Sequence, residues 1–222
     1  MSGLFITFEG TEGSGKSTQI QILRERLRSL GRTVRILREP GGTPIGEEIR
    51  HLLKHSDANH AMTSEAELLL MNASRAQLVR EVIRPALAVG EVVLCDRFFD
   101  STTAYQGHGR GLDLVRVKAI IDFAVEETRP DLTLLLEIPI EVSEARQARR
   151  KDTRNTGPAP LPPEPALRDR MEEADRAFFQ RVHEGFQKIA VAEPDRVRVI
   201  DATRTVEDVS ADIWNEVARR VT

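Results

Sequence analysis

Short apolar runs alternate with longer amphipathic stretches along the whole of this 222-residue chain. The runs at 4–9, 33–38, 91–96, 131–138 and 196–201 read as strands, and the stretches at 15–30, 44–54, 64–89, 112–127, 140–150, 168–191 and 205–220 read as helices. Such alternation predicts an α/β fold in which a mostly parallel sheet of five strands is covered by helices on both faces. In the first helix Ile20, Leu23, Leu27 and Leu30 recur at near-helical spacing, and Gly31 stands where a C-terminal cap belongs. Pro85 falls inside the third helical stretch and predicts a kink, although Leu78, Val82 and Leu87 carry the apolar face past it. No repeat of fixed period is visible.

One segment departs from this alternation. Five of the 11 prolines lie between 158 and 165, with Arg149, Arg150, Lys151 and Arg154 before them and Arg168 and Arg170 after. Helix cannot run through so many prolines, yet folded-looking sequence continues on both sides. The expectation is a single domain over 1–222 from which a mobile lid departs at about 150–168. The flanking arginines favour an active-site flap over an inert surface loop.

Composition narrows the partners. The length suits one well-buried domain, and 40% hydrophobic with 30% charged residues is the make-up of an ordinary globule. A net charge of −3 supplies no overall attraction for a nucleic-acid polymer or an anionic membrane. Of the 32 basic residues only five are lysines and the remaining 27 are arginines, so bidentate grips on small phosphate-bearing ligands are plentiful. Cys95 is the single cysteine, and its place after Val92-Val93-Leu94 suits a small buried hydrophobe better than a nucleophile. The first apolar stretch is interrupted at Glu9, and no uncharged apolar run approaches a membrane span, so a cytoplasmic location is expected.

The chemistry is concentrated after the first strand. Gly10-Thr11-Glu12-Gly13-Ser14-Gly15-Lys16-Ser17 matches G-x-x-x-x-G-K-[ST] between an apolar strand and a helical pattern, the context a phosphate-binding loop requires. Glycines allow backbone N–H groups to turn toward phosphate oxygens, and the helix directs its positive dipole end at the anion. Lys16 reaches the β- and γ-phosphates of a nucleoside triphosphate, and Ser17 supplies a ligand for Mg²⁺. GTPases, motor ATPases, kinases and transporters all use such a loop, so the rest of the chain has to choose among them. The second strand ends in Arg38-Glu39-Pro40-Gly41-Gly42-Thr43 and the third in Asp96-Arg97. In open α/β sheets that edge is where ligands bind. Asp96 stands where P-loop proteins place an acidic group near the metal, and Arg97 beside it suits a second phosphate group.

Three stretches together resemble the signatures of the thymidylate kinase family. They are Phe8-Glu9-Gly10-x-Glu12-Gly13-x-Gly15-Lys16-Ser17, Arg38-Glu39-Pro40-Gly41-Gly42-Thr43, and Asp96-Arg97-Phe98-x-x-Ser101-x-x-Ala104-Tyr105-Gln106. Ser74-Arg75, Pro130-Asp131-Leu132-Thr133 and Asp169-Arg170-x-Glu172 extend the resemblance almost end to end. The resemblance implies a P-loop NTPase fold of three layers and transfer of a phosphoryl group from ATP, with Mg²⁺, to dTMP in a homodimer. It also implies roles. Arg38 and Arg97 hold the acceptor phosphate, with Ser101 in the same signature. Glu12 lies near the sugar 3′-OH and, with Ser17 and Asp96, near the metal. Arg75, Thr102 and Gln106 face the thymine, and Tyr105 crowds the sugar 2′ position. For each the alternative is a surface or packing role, and that alternative is strongest for Arg75 and Thr102. Gly13 occupies the place where some members carry a catalytic arginine, so the chain resembles the bacterial type that supplies it from the lid. Arg150 and Arg170 match those lid positions, and Arg146 is placed to lie against adenine. Met71 stands where many members have a phenylalanine that stacks on thymine, and His108 replaces a common glycine.

Two rival readings remain at this stage. A kinase for another nucleoside monophosphate or for a deoxynucleoside is disfavoured by the two arginines, 38 and 97, available for an acceptor that already bears phosphate. A regulatory P-loop switch that transfers no phosphoryl group is disfavoured because no Asn-Lys-x-Asp motif reads guanine and no Asp-Glu pair ends the 91–96 strand.

Overall fold

A computed structural model describes residues 3–156 and 175–221, the side chains of 57, 58 and 150–156 excepted. Five parallel strands form one sheet: β1 (Leu4–Glu9), β2 (Val34–Arg38), β3 (Val92–Asp96), β4 (Leu132–Glu137) and β5 (Val197–Asp201), in the order β2-β3-β1-β4-β5. β1 is central, with Ile6 opposite Leu94 on one side and Leu132 on the other. Because every strand points the same way, the ends of β1, β2 and β3 meet at one edge. The phosphate loop, Arg38 and Arg97 follow those ends and are thereby collected there.

Alternation along the strands divides the core. Leu4, Ile6 and Phe8 of β1, with Val92 and Leu94 of β3, pack on one face against α1 (Lys16–Ser29) and α9 (Val206–Val221). Phe5, Val93 and Cys95 face the other way, onto α3 (Ser64–Leu78), α4 (Arg84–Ala88) and α6 (Leu114–Val125). Both sheet faces are thus covered, as parallel strands require. Cys95 is fully buried, as expected. A third cluster joins Phe178, Val182 and Phe186 of α8 (Arg176–Ala192) to Ala104, Tyr105 and Leu135. The remaining long helices are α2 (Pro44–Lys54) and α7 (Ile140–Thr156).

Several helical stretches differ from the sequence expectation. The helix expected at 64–89 is divided: between α3 and α4 the chain makes a wide turn at Val79–Ile83, where the Arg84 N–H donates to Val79 O, five residues back. Pro85 then occupies the first turn of α4. Proline has no N–H to give and its ring crowds the preceding turn, and the wider turn accommodates both. The second difference is larger. Residues 99–109, assigned to no element, are helical as α5 (Phe99–Thr102) and a wide turn at Thr103–Gly109. Ser, Thr and Gly are poor helix formers, so this turn depends on tertiary anchors. Arg196 grips Asp100 with two bonds of 2.7 and 2.8 Å and lies over the Phe99 ring, while Arg181 of α8 donates to Gly109 O at 2.9 and 3.0 Å. The helix expected at 140–150 runs on to Thr156. The proline-rich stretch, with Arg168 and Arg170, lies outside the described residues, as do the side chains of Arg150 and Arg154.

Candidate active site

The phosphate loop joins β1 to α1 by backbone geometry. Gly10 has φ +127, and a Cβ there would lie 2.3 Å from Leu136 O, so only glycine fits. α2, α3, α6 and α8 begin under side-chain caps from Thr43, Thr63, Asp113 and Asp175, whereas α1 begins at Gly15 with none. Its first N–H groups are left for an anion. Lys16 is buried, and its Nζ donates to Gly10 O at 3.1 Å, Thr11 O at 2.9 Å and Ser14 Oγ at 3.4 Å, which holds the ammonium within the loop. Burial pushes its pKa down to about 8, and Arg97 adds to the shift while Asp96, Glu12 and Glu9 oppose it. From α7, the Ser143 hydroxyl donates to Glu12 O at 2.6 Å. Arg146 ties the loop to the chain after β5 by donating to Gly13 O at 3.1 Å and Ala202 O at 3.0 Å.

Ser17 Oγ, in the first turn of α1, donates to Asp96 Oδ2 at the end of β3 at 3.3 Å, which sets a hydroxyl and a carboxylate side by side. These hard oxygen donors fit Mg²⁺. Among the described residues no three His, Cys, Asp or Glu side chains converge on a metal position.

Arg97 has φ +69, an uncommon conformation for a residue with a side chain. Its N–H donates to Phe8 O at 2.9 Å, and its guanidinium donates to Ser101 Oγ at 3.1 Å, lies over the Tyr105 ring and reaches Glu12 at 4.0 Å. Burial opposes the charge of Arg97, but Tyr105, Glu12, Asp96 and Glu9 together outweigh it and raise its pKa. Beneath it lies a residue the sequence reading left unassigned. Glu9 is fully buried and accepts from the N–H groups of Phe98 (2.7 Å) and Ser101 (3.3 Å) and from the Ser101 hydroxyl (2.5 Å). Burial and the nearby Asp100 raise its pKa to about 7 despite those bonds and Arg97.

Beside the phosphate loop, a half-open pocket is walled by Met71, Arg75, Thr102, Tyr105, Gln106 and Phe179, among others. Arg75 is 2% exposed, and all five of its N–H groups are engaged: two with Glu39 Oε2 (2.8 and 2.6 Å), two with Asn72 Oδ1 and Thr102 Oγ1 (3.0 Å each), and one with Phe98 O (3.2 Å). Burial pushes the Glu39 carboxyl up, against the pull of Arg75. Gln106 is fixed by Glu67, the side chain that also binds Arg110. Neither Glu67 nor Asn72 carried a sequence signal. Arg38, by contrast, is half-exposed and paired with Glu47 at 2.9 Å. The His108 ring packs against Gly185, where a Cβ would come within 2.8 Å of it, so the substitution at 108 is matched by a glycine on α8.

A second, open groove runs over the loop past Lys16, Ser17, Arg38, Arg50, Asp96, Arg146 and Arg149. Glu12, Glu39, Lys54 and Arg97 line both spaces, so the two form one continuous cleft. A phosphate loop after the central strand, opening into the same cleft as a second set of cations and a side-chain-lined pocket, defines the P-loop NTPase class. The comparisons refine this class. The family model "Thymidylate kinase" matches residues 8–213. A curated thymidylate kinase of Ectopseudomonas mendocina is 48% identical, covering 96% of this chain and 94% of its own. That of Alcanivorax borkumensis is 46% identical over 96% and 95%, and that of Deinococcus radiodurans 45% over 98% of both. A crystal structure of thymidylate kinase from Ehrlichia chaffeensis superposes with a TM-score of 0.74 at 30% identity, covering 98% of this chain and all of that one. The chain belongs to the thymidylate kinase family.

Proposed function

We propose a division of roles within the cleft for the reaction of this family. The protein is an ATP-dependent dTMP kinase that moves the γ-phosphoryl group of ATP to dTMP, giving dTDP for dTTP synthesis. The observation that carries the assignment is the shared boundary of the two spaces, with Lys16 on the loop side and Arg97 at the junction. Residues 10–17 hold the triphosphate, Lys16 stabilises charge developing on the β- and γ-phosphates, and Arg146 lies toward the adenine side. Ser17 and Asp96, with Glu12 nearby, hold Mg²⁺, which neutralises phosphate charge when bound. Arg97, set by Ser101, and Arg38 take the acceptor phosphate. Arg38 reaches it by exchanging Glu47, an exposed pair of little net strength. Met71, Arg75, Thr102, Tyr105 and Gln106 receive the nucleoside, with Glu12 toward its 3′-OH and Tyr105 against the 2′ position. With its donors engaged, Arg75 offers the base a fixed charged wall. Phosphoryl transfer asks the protein for in-line placement and positive charge, and this cleft supplies both.

Four further assignments complete the reading. The chain works as one domain with a lid at about 150–168, and Arg150 or Arg170 adds the transferring charge, on the family pattern alone. It acts as a homodimer, in support of which the adjoining α3 and α6 leave Leu69, Val115 and Phe123 exposed. No helix among the described residues is long and apolar enough to cross a membrane. A cytoplasmic location accords with the single buried thiol. The test of the reaction is ADP release from Mg²⁺-ATP with a panel of nucleosides and monophosphates. dTMP is expected to give the highest rate, and no ADP above the acceptor-free control would sink the reading.

A further inference from the structure

Gln106 is a two-sided reader. Its amide presents an acceptor on one side and a donor on the other, and a half-turn of the amide exchanges them. Thymine carries a donor at N3–H beside the O4 acceptor, and cytosine carries an acceptor at N3 beside the N4 amino donor. A freely turning glutamine would therefore suit either base.

The glutamine here is not free to turn. Glu67, 1% exposed in the first turn of α3, accepts from Gln106 Nε2 at 2.8 Å. The same carboxylate is gripped from behind by Arg110, whose Nε and Nη2 lie 3.2 and 3.0 Å from Oε1 and Oε2. Arg110 is itself placed by its backbone N–H, which donates to Tyr105 O at 2.8 Å, and by the Phe178 ring beneath its guanidinium. A guanidinium-paired carboxylate only accepts hydrogen bonds, so the amide atom facing it has to be the nitrogen. The carbonyl oxygen of Gln106 is then the acceptor left for the pocket that Gln106 lines.

We propose that Glu67 is a specificity-determining positioning residue: by locking the Gln106 amide it makes the pocket accept the N3–H of thymine and refuse the N3 lone pair of cytosine. The proposal rests on the reading of this cavity as the base pocket. Turning Gln106 to suit cytosine would aim its carbonyl oxygen at the Glu67 carboxylate, and leaving it in place would set two acceptors against each other. Either mismatch leaves buried polar groups unpaired, the strongest source of discrimination a binding site has.

The test is Glu67→Gln, which keeps the shape and allows the 106 amide to take either orientation. kcat/KM is measured for dTMP, dUMP and dCMP, with the inhibition constant of dCMP against dTMP. The dTMP/dCMP ratio is expected to narrow by roughly tenfold or more, as for one exchanged hydrogen bond. The dTMP/dUMP ratio is expected to hold, because uracil shares N3–H and O4 with thymine. An unchanged dTMP/dCMP ratio, or both ratios falling in step as in a loosened pocket, overturns the proposal. Glu67→Asp keeps the charge beside Arg110 but withdraws it from Gln106, and it carries the same test if the glutamine variant does not fold. Gln106→Ala separates the two claims. If it leaves the dTMP/dCMP ratio untouched, the base-pocket reading itself fails. If it narrows the ratio and Glu67→Gln does not, only the role of Glu67 falls.

Discussion

The two halves of the cleft are built from different materials. On the loop side, the groups proposed to meet phosphate are backbone N–H groups and one buried lysine, carried on eight consecutive residues. On the acceptor side, the pocket is made of side chains from the end of β2, from α3 and from residues 97–106, tied to each other by charge-assisted hydrogen bonds. A loop held by backbone geometry tolerates loss of its functional side chain. A pocket whose walls are also its struts does not. The loop side is therefore expected to fail in catalysis with the fold intact, and the acceptor side to lose stability along with function.

The sharpest way to break this contrast is Arg75→Met. Arg75 and Glu39 are both buried and paired at 2.6 Å, and removing the guanidinium leaves Glu39 uncompensated. Breaking a buried pair from one side costs about 3–5 kcal/mol, so the urea midpoint should fall sharply. Adding Glu39→Gln to the same variant should recover part of the loss, because the stranded charge is then gone. A midpoint within error of the parent would mean that this network is not a strut.

Next in size is a matched pair of substitutions. Lys16→Ala should lower kcat by about 10²–10³-fold, the usual cost of one preorganised transition-state contact, while the thermal midpoint stays put. Arg97→Ala should act on the other ligand, raising KM for dTMP by an amount near the roughly 1.5–3 kcal/mol of a charged hydrogen bond. Should Arg97→Ala weaken ATP and spare dTMP, the two sides have been assigned the wrong way round.

The same contrast explains what could be read from the sequence. The loop was legible because its conformation is local: glycine, lysine and serine stand at fixed offsets between a strand and a helix. Arg38, Asp96 and Arg97 were legible because they end apolar strands, and parallel strands end together. Strand limits came within a residue or so for the same reason. The acceptor pocket was legible only in its lining, and through family resemblance. Its struts were not, since Glu39 meets Arg75 across 36 residues, Glu67 meets Gln106 across 39 and Glu9 meets Ser101 across 92. No spacing rule announces such partners. Residues 99–109 were missed because their helical turns are held by Arg196, Arg181 and α8 rather than by a 3.6-residue pattern.

The smallest expected effect is also the most specific to the loop. Lys16 has a pKa of about 8, below the ordinary lysine value, because burial disfavours the ammonium and Arg97 repels it. A bound triphosphate favours the ammonium, so the pKa of Lys16 is higher in the complex than in the free protein. The sign follows from linkage. Below pH 8 the free lysine is already charged and ATP affinity is flat with pH. Above pH 8 binding has to draw a proton, and affinity falls by up to about tenfold per pH unit until the pKa of the complex is reached. Calorimetry at pH 8 in buffers of different ionisation heat should then show uptake of about half a proton per ATP. Of the other displaced groups in the cleft, Glu9 is raised only to about 7, Glu39 is raised but held by Arg75, and Arg97 and Tyr105 are pushed up from values that already lie at 10 or above, so the window just above pH 8 belongs to Lys16. Lys16→Arg stays charged throughout and should abolish the uptake. ATP affinity that is level from pH 7.5 to 9.5 in the parent protein would show that Lys16 carries its proton with or without the phosphates, and that burial does not bring its pKa into this range.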